Sequence, residues 1–132
     1  MPIREAITAG PWPERITFSP AVRVSNLLFI SGTTATDENR RIVGVGDIVA
    51  QTRHIFRKFE AILAAAGATF DNIVETTDYF LTFEDYNKTA EVRRDVFRPP
   101  YPAATGVQVA GLIRQDALIE IKAIAVLDAL RG

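Results

Sequence analysis

The chain has 132 residues, of which 48% are apolar and 23% charged, and its net charge is −1. This is the composition of a single globular domain spanning residues 1–132, able to bury roughly two thirds of its unfolded surface, with no electrostatic ground for a nucleic-acid partner. The absence of cysteine excludes disulfides, thiolate catalysis and cysteine-ligated metals, and the one histidine, His54, leaves little for a metal site.

In chain order, MPIREAITAG lacks the apolar core of a signal peptide, and no later apolar run is long enough to span a bilayer. The expected location is therefore the cytoplasm, with no membrane partner. A short strand is expected at Arg4 to Thr8. GPWPERITFSP (10–20) holds three prolines and is expected to be an extended loop or edge segment. AVRVSNLLFISGTT (21–34) is expected to form a strand, a tight turn at Ser25-Asn26 and a second strand. DENRRIVGVGD is a polar loop; its glycines have neither the lysine nor the spacing of a phosphate-binding loop.

From Asp47 to Ala66 apolar residues recur every three or four positions, which predicts a helix about 30 Å long. Asp47 is the expected N-cap and Gly67 the expected stop. NIVETTDYFLT (72–82) alternates like a strand. A second helix is expected from Glu84 to Phe97, ended by Pro99-Pro100. YPAATG (101–106) is expected to be a turn, leading to strands at 105–111 and 118–127. The order β-β-α-β-α-β-β implies an α+β or α/β sandwich, a mixed sheet with two helices on one face.

The last strand, LIEIKAIAVL, places Ile119, Ile121, Ala123 and Ala125 on one face. On the other it places Leu118, Glu120, Lys122, Ile124 and Val126. Two helices cover one side only, and the other is too apolar to face water over several strands. A second copy of the chain is the expected cover; the long N-terminal loop is the alternative.

Glu120 is the carboxylate of interest. Near an apolar interface and unpaired, its affinity for a proton rises, which suits a general acid or base acting on water. The structural alternative is a pair with Lys122, two residues on. Ser31-Gly32 closes a strand where the glycine lets a ligand approach the backbone, although a simple turn has the same sequence. With no histidine near it in sequence, Ser31 is a poor candidate nucleophile. His54 reads as a boundary residue of the first helix. Phe56, Phe59, Phe80 and Phe97 read as core.

The ordered motifs NLLFISGTT, AILAAAG, NIVETTDYFLTFEDYN, PPYPAATGVQVAGL and LIEIKAIAV resemble the reactive intermediate deaminase (Rid, or YjgF) family over about Phe18 to Val126. The resemblance implies a chorismate-mutase-like fold assembled as a homotrimer with a barrel-like core. It also implies small-molecule clefts between neighbouring chains and cofactor-free hydrolysis of short-lived enamines and imines, such as 2-aminoacrylate or 2-iminopropanoate, to a keto acid and ammonia.

Carried over by position, the family's glutamate falls on Glu120 and its serine-glycine pair on Ser31 and Gly32. The arginine that clamps the substrate carboxylate in Pro-Ala-Arg is replaced by Ala104, followed by Thr105. A frequent tyrosine is Phe18, a frequent asparagine falls on Ala90, and a frequent cysteine or threonine is Gly106. Without the clamp, 2-iminopropanoate is not expected to react by the usual route. The pocket should suit a neutral or aromatic ligand, or one whose anion is held elsewhere, with Arg114 a candidate for that charge. The alternative function is a non-catalytic protein that binds or sequesters a metabolite. Endoribonuclease or translation-inhibitor activity, carried by older labels of the family, is opposed by the weak basic character.

Overall fold

The structure is a computed structural model and describes residues 3–128. Strands β1 (Arg4–Ile7), β2 (Ala21–Val24) and β3 (Leu27–Thr33) form an antiparallel meander. Ser25 adopts a positive φ of 55° in the expected tight turn between β2 and β3. Helix α1 (Ile48–Ala65) follows, with Asp47 accepting from the Ala50 amide at its N-terminus and Gly67 left-handed just beyond its end. A single 3₁₀ turn (Phe70–Asn72) leads into β4 (Ile73–Phe80). Two short helices, α2 (Phe83–Asn87) and α3 (Ala90–Val96), precede β5 (Ala103–Gln108) and β6 (Ile119–Val126).

The six strands make one mixed sheet in the order β1-β2-β3-β6-β4-β5, in which only β4 and β5 run parallel. The core lies between this sheet and the helices. Ile55, Phe56, Phe59 and Leu63 of α1 and Val92 of α3 are buried over Leu28, Ile30, Ile119, Ile121 and Ala123. Phe56 and Phe97 meet edge to face at 5.4 Å, and Phe80 is 1% exposed. These rings are core, as their spacing predicts.

Two expectations are corrected. The helical stretch over 84–97 is divided, because the buried Thr89 turns its hydroxyl back to donate to the Tyr86 carbonyl, and the chain tightens into i→i+3 bonds at Lys88 and Thr89. Such local side-chain bonds compete with a continuing helix. The stretch YPAATG is not a turn; the bend falls just before it, at Pro99-Pro100. Ala103 to Gly106 already form β5, where their peptide groups satisfy the otherwise unpaired edge of β4. Alanine and glycine carry little strand propensity of their own, so this strand is imposed by its neighbour.

The sheet's two faces differ as the alternation of β6 predicts. Ile119, Ile121, Ala123 and Ala125 are buried under the helices, while Glu120, Ile124 and Val126 are only partly covered. On this open face Phe29 is 42% exposed. The N-terminal segment does not cover it; β1 instead lengthens the sheet beside β2. Among the described residues no helix is long and apolar enough to cross a membrane.

Candidate functional site

On the open face, Glu120 of β6 stands in register with Tyr79 of β4. The register of β3 against β6 shifts between Ile30 and Thr33, and this irregularity brings Gly32 against the glutamate. A Cβ at position 32 would stand 2.7 Å from Glu120 Oε2. The glycine therefore leaves room for the carboxylate's close approach. Gly32, Tyr79, Glu120 and Lys122 wall a hollow of about 310 Å³, bordered by Val109, Leu112 and Ile113 from the segment after β5.

Glu120 has no hydrogen-bond or ion-pair partner among the described residues, and the expected structural pair with Lys122 does not form. Burial pushes its carboxyl above the usual carboxylate value. An unpartnered carboxyl with raised proton affinity, facing a small hollow, is equipped to take a proton from water or give one to a substrate.

The other expected site residues separate. The Ser31 hydroxyl donates to the Ser19 carbonyl at 2.6 Å and the Ser31 amide to Pro20 at 2.9 Å, so this serine ties the incoming loop to β3. Phe18 is 57% exposed and packs edge to face on Trp12, whose indole N–H donates to the Phe18 carbonyl. Thr105 lies level with Thr77, on the open face. Arg114 is exposed on the loop before β6, close enough to Lys58 for the two charges to repel. Burial and that repulsion push the Lys58 ammonium down to about 8. All three of its N–H donors are used, on Thr33 Oγ1, the Thr34 carbonyl and Thr36 Oγ1, which fastens the end of β3 to α1. His54 is likewise structural, with Nε2 at 3.0 Å from the Thr36 carbonyl.

Ala104 lies on the opposite face from Glu120. It pairs with the buried Thr76, and Gly106 pairs with Asp78, so both β5 residues look toward the helix side. A single protomer does not bring Ala104 and Glu120 together. Here sequence reasoning missed a polar cluster. Asp78 is 1% exposed, and its Oδ2 accepts from the Tyr86 hydroxyl at 2.7 Å and faces Arg93 Nη1 at 3.5 Å. Arg93 Nη2 donates to Thr76 Oγ1 at 3.0 Å, and the guanidinium rests 5.2 Å from the Phe97 ring centre.

Tyr86 stacks flat on Phe80 at 4.0 Å and passes directly over Gly106, where a Cβ would meet its ring at 2.9 Å. Burial raises the Asp78 carboxyl against the opposing effects of Tyr86 and Arg93. The one trace of this cluster in the sequence is an aspartate at an inward position of ETTDYF, where alternation calls for an apolar residue. Among the described residues no group of histidine, aspartate or glutamate is arranged to hold a metal ion.

The family model described as Endoribonuclease L-PSP matches residues 12–127. The chain is similar to the 3-aminoacrylate deaminase RutC of Acinetobacter baylyi, 34% identical over 95% of this chain and 98% of that one. It is also similar to a RutC family protein of Pyrococcus horikoshii, 37% identical over 93% and 98% of the two chains. Among solved structures, RidA of an Antarctic Psychrobacter aligns with a TM-score of 0.83 at 30% identity, covering 92% of this chain and 98% of that one. A conserved Rid protein of Yersinia pestis aligns with a TM-score of 0.84 at 28% identity, over 94% and 99% of the two chains.

Proposed function

The chain belongs to the endoribonuclease L-PSP family, the family of the Rid and YjgF proteins, and on that premise we propose that it is an enamine or imine hydrolase of the deaminase type. The observation that carries this reading is the unpartnered Glu120 carboxyl, seated over Gly32 in the hollow of the open face. The 3-aminoacrylate deaminase named among its relatives supports the reaction class.

In the proposed reaction an enamine first takes a proton on carbon from the Glu120 carboxyl to become an iminium. Water adds to the iminium carbon, forming the C–O bond and giving its proton to Glu120. The carbinolamine then collapses: Glu120 returns that proton to the nitrogen, the C–N bond breaks to release ammonia, and the hydroxyl proton passes back to Glu120 as the C=O bond forms. No electron carrier enters this balance. The protein's contribution is to hold substrate and water in line and to move one proton.

The working site is assigned to the cleft between copies of the chain in a homotrimer. Each cleft joins the Glu120 face of one protomer to the Ala104 edge of the next. This accounts for two half-sites on opposite faces of one sheet. A cytoplasmic location fits such unstable substrates, which must be met where they form.

The test uses an amino-acid oxidase to generate an imino acid in place, with the decay followed spectrophotometrically. Wild-type protein should accelerate the decay over buffer, and Glu120→Gln should abolish the acceleration while keeping the wild-type mass by light scattering. An unaccelerated decay across neutral and acidic imines would sink the hydrolase reading. It would leave the second one, a metabolite-binding protein, which the loss of the family's arginine at Ala104 favours.

A further inference from the structure

Position 104 carries a methyl group, yet a guanidinium stands on the same row of the sheet. Ala104 of β5 and Thr76 of β4 are direct neighbours on the helix side, and Arg93 Nη2 holds the Thr76 hydroxyl at 3.0 Å. Ala104 is exposed, while the Tyr86 ring fills the side-chain space of Gly106 two residues on, so the surface at Ala104 is the shelf beside that guanidinium.

The guanidinium is held in place from three sides. Thr76 accepts from Nη2, the Phe97 ring supports its face at 5.2 Å, and Asp78 lies beneath it. Only two of its five N–H donors have partners, Nη1 on Asp78 and Nη2 on Thr76, which leaves three without one among the described residues. Its contact with Asp78 is long, 3.5 Å, and Asp78 Oδ2 already takes the shorter bond from Tyr86. Asp78 Oδ1 is buried with no donor at all. The carboxyl therefore answers the arginine's charge only in part. A planar cation fixed in orientation and with spare donors is built to receive a planar anion.

We propose that Arg93 is the anion anchor of the cleft, and that the ligand is a small carboxylic acid whose carboxylate lies over Ala104 and takes the free N–H groups of Arg93. The proposal rests on the interchain hydrolase reading and assigns to Arg93 the carboxylate that the family resemblance gives to an arginine at position 104. The family's clamp is thereby moved from the edge strand to helix α3, and Tyr86, spread over Gly106, borders the shelf.

Binding of benzoate and of its neutral isostere benzamide to the intact protein, measured by titration calorimetry at low salt, tests the proposal. Arg93→Gln alone strands the buried Asp78, so the variant of choice is the double Asp78→Asn/Arg93→Gln, which neutralises the pair together. Wild type should prefer benzoate. The double variant, with wild-type circular dichroism and mass, should lose about tenfold or more in benzoate affinity while its benzamide affinity holds. Arg93→Lys, which keeps charge but not the fork, should fall between.

The proposal is overturned if wild type does not bind benzoate at millimolar concentration, or if the double variant binds benzoate as wild type does. It is also overturned if both ligands weaken together, or if Arg114→Gln removes benzoate binding instead. Turnover separates this from the hydrolase reading. Benzoate binding through Arg93 with no imine hydrolysis would leave the anchor and remove the hydrolase. Hydrolysis of an imino acid with KM unchanged in the double variant would do the reverse.

Discussion

A carboxyl left without a partner in a partly buried hollow is unfavourable for folding, and Glu120 is such a group. Its raised pKa fixes the sign of its effect on stability. Relative to its usual 4.5, the folded state holds the proton more tightly, so Glu120's contribution is fully present below that value and is lost as pH rises through the folded pKa. Glu120→Gln should therefore be more stable than wild type at pH 7 and gain nothing at pH 4, as urea midpoints at the two pH values will show. The same variant should lose about 10²-fold or more in imine hydrolysis. The acid limb of the wild-type kcat/KM profile should lie above the ordinary glutamate range and vanish with the carboxyl. Gly32→Ala addresses the same contact from the other side. Its Cβ meets only the flexible end of Glu120, 2.7 Å away, so the fold should lose less than about 1 kcal/mol. Turnover should fall because the carboxyl is displaced, and a fully active Gly32→Ala would detach Glu120's position from the chemistry. That Glu120 and Gly32 belong together is implied by the resemblance to a family; neither the spacing of 88 residues nor any local pattern places them in contact, because the contact depends on a register shift between β3 and β6.

Among the elements, those with a strong period were legible and those imposed by neighbours were not. Helix α1, its Asp47 cap and its Gly67 stop follow from residues within one turn of each end. The inward row of β6 follows from strict alternation. Strand β5 does not, since AATGVQ is held extended by pairing with β4, and the division between α2 and α3 does not, since it turns on where Thr89 places its hydroxyl. The cluster around Asp78 was hidden for the same reason: Asp78, Tyr86 and Arg93 come from three elements that only the fold brings together. Two predictions belong to this scale. Tyr86 cannot yield readily at Gly106, because it is stacked on Phe80 and bonded to Asp78, so Gly106→Ala should cost about 1–3 kcal/mol in urea unfolding. In a Tyr86→Ala background the same substitution should cost far less, which a double-mutant cycle will read as coupling. Lys58 joins α1 to the end of β3 through three bonds with no acidic partner, and Lys58→Met should remove about 2 kcal/mol of stability.

At the scale of the whole molecule, the decisive feature is that the candidate half-sites occupy opposite faces of one sheet. Glu120 looks out with Tyr79 from the uncovered face, where Phe29 is 42% exposed, while Ala104 and Arg93 lie on the helix side. A sheet edge cannot fold back to join its own two faces, so a site that uses both draws them from two chains. In the proposed ring each interface pairs one copy's Glu120 face with the next copy's Ala104 edge, a head-to-tail contact of the kind that closes into cyclic assemblies. Complementation tests this directly. Glu120→Gln spoils one half-site, and Ala104→Trp, filling the shelf beside Arg93, spoils the other. Each should be inactive as a pure assembly. Co-expressed in equal amounts and mixing at random, the two should regain about a quarter of wild-type turnover, since that fraction of interfaces joins two intact halves. If both halves came from one chain, no mixed assembly would contain an intact site, and co-expression would yield nothing above the two pure variants. A monomeric mass by light scattering at micromolar concentration would refute the two-chain site independently, because the open face would then lack the copy that completes it.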